Sequence, residues 1–284
     1  MTTPVDNHRE IAVFGMKRSG NHALVGWWMS GIGPCVVHLN DVVGDDPYAD
    51  CSEIGTKGIP LSVCRPTLWN RLVGRTADAR RRLYSGSDPT LDRCAIRAWG
   101  PKEALILSYE DRLPDDPNFS RFEANHDERV GKSETRRRVL ILRDPYNLFA
   151  SLLEAPFPRD TTLWDDAETW KRYARLFRDA PADLLCISFN EWFQSMECRQ
   201  RLAKELDFET DGAPHREVHP LGGGSSFDER RFHGRADEMR ILERWKAYRE
   251  DSRWQKVASD EEIVALSEEI FPDVGVDLSF QRNA

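Results

Sequence analysis

Short apolar runs separated by longer mixed stretches set the pattern of this chain. Residues 11–14 are apolar without interruption and stop at Gly15, which predicts a strand covered on both faces. Residues 23–29, rich in Leu, Val and Trp, predict a buried helix, and 35–39 a second strand. Residues 41–66 are rich in Gly, Pro and Asp and predict an irregular excursion, whereas 67–84 carry a helical pattern with one strongly basic face. A third strand is predicted at 104–108, ending at Tyr109, Glu110 and Asp111. Loop and short helix are expected over 113–138, where the sequence is polar and lacks a strong period.

The clearest strand is 139–142, stopped by Arg143, Asp144 and Pro145. Pro145 suits the first turn of a helix carrying Leu148, Phe149, Leu152 and Leu153. A helix over 165–177, a strand over 184–188 and a helix holding Trp192, Phe193, Met196, Leu202 and Leu206 follow. The tail contains a glycine loop at 222–226 and then Met239, Leu242 and Trp245 at helical spacing, read as a stripe facing the core. Strands alternating with helices imply an α/β domain with a central parallel sheet. No internal repeat or low-complexity linker divides the chain, so a single domain over 1–284 is expected.

Composition narrows this picture. A chain of 284 residues with nine Trp is long and aromatic enough to bury a large core. Its net charge of −8 argues against a general nucleic-acid binder but leaves room for a local basic site that takes an anion. The six cysteines, Cys35, Cys51, Cys64, Cys94, Cys186 and Cys198, show no C-x-x-C or zinc spacing and fit a reducing compartment. The polar start of the chain and the absence of an apolar run of membrane-spanning length give a cytoplasmic protein as the expectation, with no transmembrane segment.

The first chemical signal lies between the first strand and the first helix. A loop bounded by Gly15 and Gly20 at a helix N-terminus presents backbone N–H groups to an anion, and the helix dipole favours negative charge there. Lys17 and Arg18 add cations beside it. The glycine spacing is that of the nucleotide-triphosphate P-loop, G-x-x-x-x-G-K-[ST], but Asn21 and His22 stand where that motif needs Lys and Ser or Thr. Without the lysine for the terminal phosphates and the hydroxyl for Mg²⁺, ATP or GTP hydrolysis is disfavoured while the cradle is kept.

A second signal follows the strand 139–142. Arg143 at the strand end and Ser151, eight residues on in the next helix, are placed to converge on one phosphate, one as a charged fork and the other as a hydroxyl donor. Together the two motifs resemble those of the sulfotransferases that use 3′-phosphoadenosine 5′-phosphosulfate (PAPS). The loop Arg18-Ser19-Gly20-Asn21 is similar to that family's [KR]-S-G-[TS] loop. Arg143-Asp144-Pro145 followed by Ser151 is similar to its R-[DN]-P…S element. The resemblance covers about half the chain, and departs from the family in Asn21 and His22, where hydroxyl residues are usual, and in Arg18, where Lys is frequent.

What the resemblance implies is specific. The fold would be a three-layer, P-loop-NTPase-like sulfotransferase fold. The 5′-phosphosulfate would be held by Lys17, Arg18, Ser19, Gly20, Asn21 and His22, and the 3′-phosphate by Arg143 and Ser151. The product would be adenosine 3′,5′-bisphosphate, with no metal required. Sulfuryl transfer needs a cation near the bridging oxygen and a base for the acceptor, hydroxyl or amine. Arg18 is the expected cation, with Lys17 and His22 beside it. Glu110 is the first candidate for the base, followed by Asp111 and His38. The family's late basic loop implies Ser226 and Arg235 over the nucleotide, although a charged surface segment accounts for them equally well. The acceptor, whether carbohydrate, lipid, phenol or peptide, is not encoded in any readable motif. Two competing readings stay open: a nucleotide or small-molecule kinase with a degenerate P-loop, and a binding module without turnover.

Overall fold

The computed structural model describes residues 5–32, 36–42, 62–63, 102–156, 160–218 and 224–276. The expected basic helix at 67–84, most of the excursion at 41–66, four of the cysteines (Cys35, Cys51, Cys64 and Cys94) and the glycines at 222 and 223 lie outside the described residues.

Strand β1 is Asn7–Gly15, helix α1 Asn21–Ile32, β2 Val36–Leu39, β3 Ser62–Val63 and β4 Lys102–Glu110. Two short helices, α2 (Ser120–Ala124) and α3 (His126–Val130), lead to β5 (Ser133–Leu142). Then come α4 (Pro145–Leu153), α5 (Leu163–Asp179), β6 (Leu184–Ser188), α6 (Phe189–Gln194) and α7 (Met196–Glu205). The tail holds 3₁₀ turns at Ala236–Glu238 and Arg244–Tyr248, and helices α8 (Ser252–Ala258) and α9 (Glu261–Ile270).

The strands form one sheet in the order β3-β2-β4-β1-β5-β6. Five of them make a parallel central sheet flanked by helices, the α/β fold expected from the alternation. β2 and β4 pair in parallel with Val37 opposite Leu105, and the two-residue β3 adds antiparallel at the edge, Val63 opposite Val37. The chain leaves β1 toward β2 on one side and leaves β5 toward β6 on the other, while β1 and β5 are neighbours. Loops that part in this way above adjacent parallel strands open a crevice at the strands' carboxyl ends, the place where α/β sheets take ligands.

The chain divides into two compact units. The first comprises Met1–Phe14, Trp27–Val139 and Leu206–Glu209. Its core contains Ile11, Val13, Trp28, Val36, Val37, Leu105, Ile106 and Val139, all buried. Phe14 stacks on Tyr109 with centroids 5.0 Å apart, and Phe119 closes the cluster. Burial, reinforced by Glu123 and Glu10, pushes the Tyr109 hydroxyl well above its ordinary pKa. A buried His126–Glu10 pair at 2.7 Å ties α3 to β1.

The second unit comprises Gly15–Gly26, Leu140–Glu205 and Thr210–Ala284. Trp170, Tyr173, Trp254, Phe149 and Ile263 are fully or nearly fully buried in it. Thr162 caps α5 through a complete capping box with Asp165, and Asp251 and Asp260 cap α8 and α9. The buried Lys171 ammonium reaches Asp260 at 2.9 Å and joins α5 to α9. Cys186 and Cys198 are free thiols whose pKa values burial pushes up to about 11, which leaves them inert at neutral pH.

Three expectations are corrected. Residues 133–138, expected to be loop, are the exposed first half of β5. Backbone pairing extends the strand past its apolar end: the amides of Asp6 and Asn7 donate to the Lys132 carbonyl, and Asn7 Nδ2 reaches Ser133 Oγ at 3.0 Å. The helix holding Trp192 and Leu202 is two helices, broken where Ser195 adopts an extended backbone and accepts from the Cys198 amide. The stripe of Met239, Leu242 and Trp245 lies on turns and 3₁₀ backbone, and of the three Trp245 is the buried one.

Candidate functional site

Several residues of the loop after β1 have a defined task. Ser19 N donates to Met16 O at 3.1 Å and folds the loop back, and Gly20 O accepts from Ala23 and Leu24 to start α1. Gly20 sits at φ +92°, and a Cβ there would lie 2.1 Å from the Phe189 ring. At Gly15 a Cβ would fall 2.4 Å from Asn21 Oδ1, so any side chain there displaces the Asn21 amide. Arg18 has φ 68°, a left-handed backbone costing about 1–2 kcal/mol for a side-chain-bearing residue. Such strain is characteristic of ligand clamps.

Asn21 does something the sequence did not suggest. Its Nδ2 turns back and donates to the carbonyls of Gly15 at 3.4 Å and Met16 at 3.2 Å. The amide ties the strand end to the helix start, where a P-loop lysine would reach outward. Ser19 is buried, and its hydroxyl has no partner. Lys17 is exposed and His22 half-buried on the first turn of α1.

Arg143 and Ser151 meet on the next strand. Asp144 caps α4: its Oδ1 accepts from Asn147 N at 2.9 Å and Asn147 Nδ2 at 3.0 Å, and its Oδ2 from Asn190 Nδ2 at 2.9 Å. Asn147 also donates to Leu242 O and accepts from Trp245 N, and Trp170 Nε1 donates to Arg143 O. This satisfied network fixes the strand end, so that Arg143 Nη1 reaches both Ser151 Oγ and Arg18 O at 3.1 Å. Nη2 donates to Ile241 O at 2.6 Å, and Nε is buried without a partner. The guanidinium lies over the Phe189 ring, the same ring that touches Gly20.

A third arginine completes the cluster. Arg244 Nη1 donates to Ser151 Oγ at 3.3 Å, and its Nη2 contacts Ser225 Oγ at 2.6 Å and Asp228 Oδ2 at 3.3 Å. Arg18 donates to Ser226 Oγ and, at 3.4 Å, to Gly224 O, while Ser226 Oγ donates to Ser151 O at 3.1 Å. Ser151 is thus the hub of Arg143 and Arg244, with Arg18 attached through Ser226. Burial, with repulsion from Arg244 and Arg18, lowers the Arg143 pKa to about 9. Burial and Arg18 lower that of Arg244 to about 10, against the pull of Asp228. Cations that depress one another's pKa in a buried place form a site whose natural complement is an anion.

Lys17, Arg18, Ser19, Gly20, Asn21, His22, Arg143, Ser151 and Ser226 therefore fall in one unit, and all but Lys17 and His22 lie in or directly beside this bonded cluster. Arg235 lies apart on the surface, over the Phe232 ring and 3.5 Å from Glu238. Arg244 was not legible in the sequence, because Arg240 and Arg249 flank it at similar intervals. The three base candidates belong to the first unit. Glu110 is half-buried at the last position of β4, Asp111 is exposed with φ 59°, and His38 is fully buried with its Nε2 2.8 Å from Ser108 Oγ. Among the described residues no group of three or more His, Cys, Asp or Glu could hold a metal ion, and no helix is long and apolar enough to cross a membrane.

No family model matches this chain, and no curated protein matches it. Among solved structures it is similar to the sulfotransferase domain from the Synechococcus PCC 7002 olefin synthase, with 12% identity and a TM-score of 0.48. That likeness covers 93% of this chain and 95% of the other.

Proposed function

We propose that the protein is a sulfotransferase that uses PAPS and moves its sulfuryl group to a hydroxyl or amine acceptor by in-line transfer. The observation that carries this reading is the convergence of Arg18, Arg143 and Arg244 around Ser151, beside a glycine-bounded helix N-terminus at the carboxyl ends of two adjacent parallel strands. Two buried donors without partners, Ser19 Oγ and Arg143 Nε, suit a highly charged oxyanion. Three arginines in one cluster suit a ligand that carries more than one phosphate or sulfate group.

In this reading the loop from Lys17 to His22 binds the 5′ group, with Asn21 shaping the loop. Arg143, Ser151 and Arg244 bind the 3′-phosphate, and Arg244 takes the role the sequence suggested for Arg235. PAPS supplies the sulfuryl group and a bisphosphate leaving group. Arg18, fixed in a left-handed backbone, stabilises negative charge growing on that leaving group, with His22 as a second donor. The reaction also needs a base for the acceptor's proton, and Glu110 is the candidate the sequence offers for it. The acceptor class is a carbohydrate, lipid, phenol or peptide, and no metal is invoked.

Calorimetry with adenosine 3′,5′-bisphosphate against ATP plus Mg²⁺ tests the reading. The bisphosphate is expected to bind wild type at least tenfold more tightly than ATP, and Arg143→Ala to lose that binding. Equal or tighter binding of ATP plus Mg²⁺, or bisphosphate binding untouched by Arg143→Ala, would sink it.

A further inference from the structure

The arginines of the cluster are already engaged by anion-like groups of the chain itself. The turn 225–229, closed by a backbone pair between Ser225 and Glu229, presents the Ser226 hydroxyl to Arg18 and the Asp228 carboxylate to Arg244. Phe227 between them packs against the Arg244 guanidinium at 4.9 Å and edge-on against Tyr248. Asp228 is the one carboxylate within ion-pair distance of these arginines among the described residues, and it also faces Arg231, 3.5 Å from its other oxygen.

We infer that this turn is an internal counter-ligand: Asp228 and Ser226 hold the donors of Arg244 and Arg18, and an entering phosphate or sulfate group takes those donors from them. The inference rests on the cluster being the anion site of the proposed function, but not on the anion belonging to a nucleotide. Three features support exchange over a permanent structural pair. Arg244 is buried, with 9% of its side chain exposed, whereas Asp228 lies at the rim with 21% exposed, so the acid rather than the base has solvent to move into. Arg231, 71% exposed, already pairs with the outer oxygen of Asp228, so the acid keeps a cationic partner when it leaves Arg244. Ser225 Oγ accepts from the amides of Phe227 and Asp228, so the turn keeps its own shape when its contacts to the arginines are released.

The consequence is kinetic as well as thermodynamic. Binding trades one set of charge-assisted hydrogen bonds for another, so affinity is lower than the three arginines alone would give. The turn, returning to its arginines, competes with the bound anion and speeds its departure.

The test is Asp228→Asn and Ser226→Ala, each titrated by calorimetry with inorganic phosphate and separately with adenosine 3′,5′-bisphosphate, with dissociation followed by stopped flow. Asp228→Asn is expected to bind inorganic phosphate about tenfold more tightly than wild type and to release it correspondingly more slowly. Ser226→Ala is expected to tighten binding about two- to threefold. If either variant, folded by circular dichroism, binds inorganic phosphate more weakly than wild type, the turn is a ligand or a support for Arg244 and the inference is overturned. Should Asp228→Asn fail to fold, the sign of the Ser226→Ala change decides the matter. Failure of the bisphosphate alone to bind, with phosphate affinity rising in the variants, removes the nucleotide reading and leaves the counter-ligand standing.

Discussion

Replacing Arg143 with Met separates what the cluster costs the fold from what it gives a ligand. The substitution keeps the length and the apolar stem over Phe189 but deletes the charge and three donated hydrogen bonds. A pKa lowered from the ordinary guanidinium range to about 9 means that burial and the two neighbouring arginines penalise the charged form by about 5 kcal/mol. Because the depressed value still lies above neutrality, Arg143 is protonated in both folded and unfolded chains below about pH 8. The penalty is therefore constant across that range and shrinks only as pH rises through about 9. Against this relief stand the Arg18 and Ile241 carbonyls left unpaired, about 1–3 kcal/mol each, while Ser151 keeps Arg244. The two terms nearly cancel. Arg143→Met should change ligand-free stability by less than about 2 kcal/mol, well below the 3–5 kcal/mol of a broken buried ion pair. Saturating bisphosphate, by contrast, should stabilise wild type by about 2.7 kcal/mol at a hundred times its dissociation constant and leave the variant unmoved. Urea denaturation at pH 7, with and without the bisphosphate, measures both quantities. A variant that loses more than about 4 kcal/mol without ligand yet is still stabilised by it would show that Arg143 is a structural residue and that the charge accounting is wrong.

Other perturbations probe neighbouring parts of the same logic. Gly20→Ala drives a methyl into Phe189 and fixes a left-handed backbone, and should cost about 2–4 kcal/mol together with anion binding, read by thermal melts with and without phosphate. Asp144→Ala leaves two Asn147 donors and one Asn190 donor unsatisfied and should lower stability by at least about 3 kcal/mol; a loss under 1 kcal/mol would mean the network is not shared as described. His126 resists burial through its hydrogen bond to Glu10, and its pKa is raised in the folded chain. Its contribution should be complete below about pH 6.5 and fade as pH rises through the raised value. The stability gap between wild type and His126→Asn should accordingly narrow from pH 5.5 to 8.5 in urea titrations, and a widening gap would contradict the assignment.

The parts of this fold legible in sequence are those where local signals and burial agree. The strand at 184–188 and the helix opened by Pro145 were readable because apolar runs ended at unambiguous stops. The start of β5 was not, since its charged residues gain strand geometry from pairing with another segment rather than from their own preference. The tail stripe misled for a related reason: Trp245 is held by an Asn147 side chain from 98 residues away, and a helical period arose without a helix. In the site, Arg18, Arg143 and Ser151 stood out through glycine spacing and a strand end. Arg244 reaches Ser151 across 93 residues, and only folding brings it there.

The backward turn of the Asn21 amide has one further consequence. In a loop whose residue after the last glycine points outward, the ligand itself supplies the contact that finishes the loop's shape. Here that contact lies inside the chain, between Asn21 and the carbonyls of Gly15 and Met16, and exists as soon as the protein folds. The loop is a rigid template, whose ordering entropy is settled during folding rather than at each encounter. In the proposed reading, discrimination among ligands then passes to the arginines and to the turn inferred to hold them, with the loop as a fixed floor for the anion.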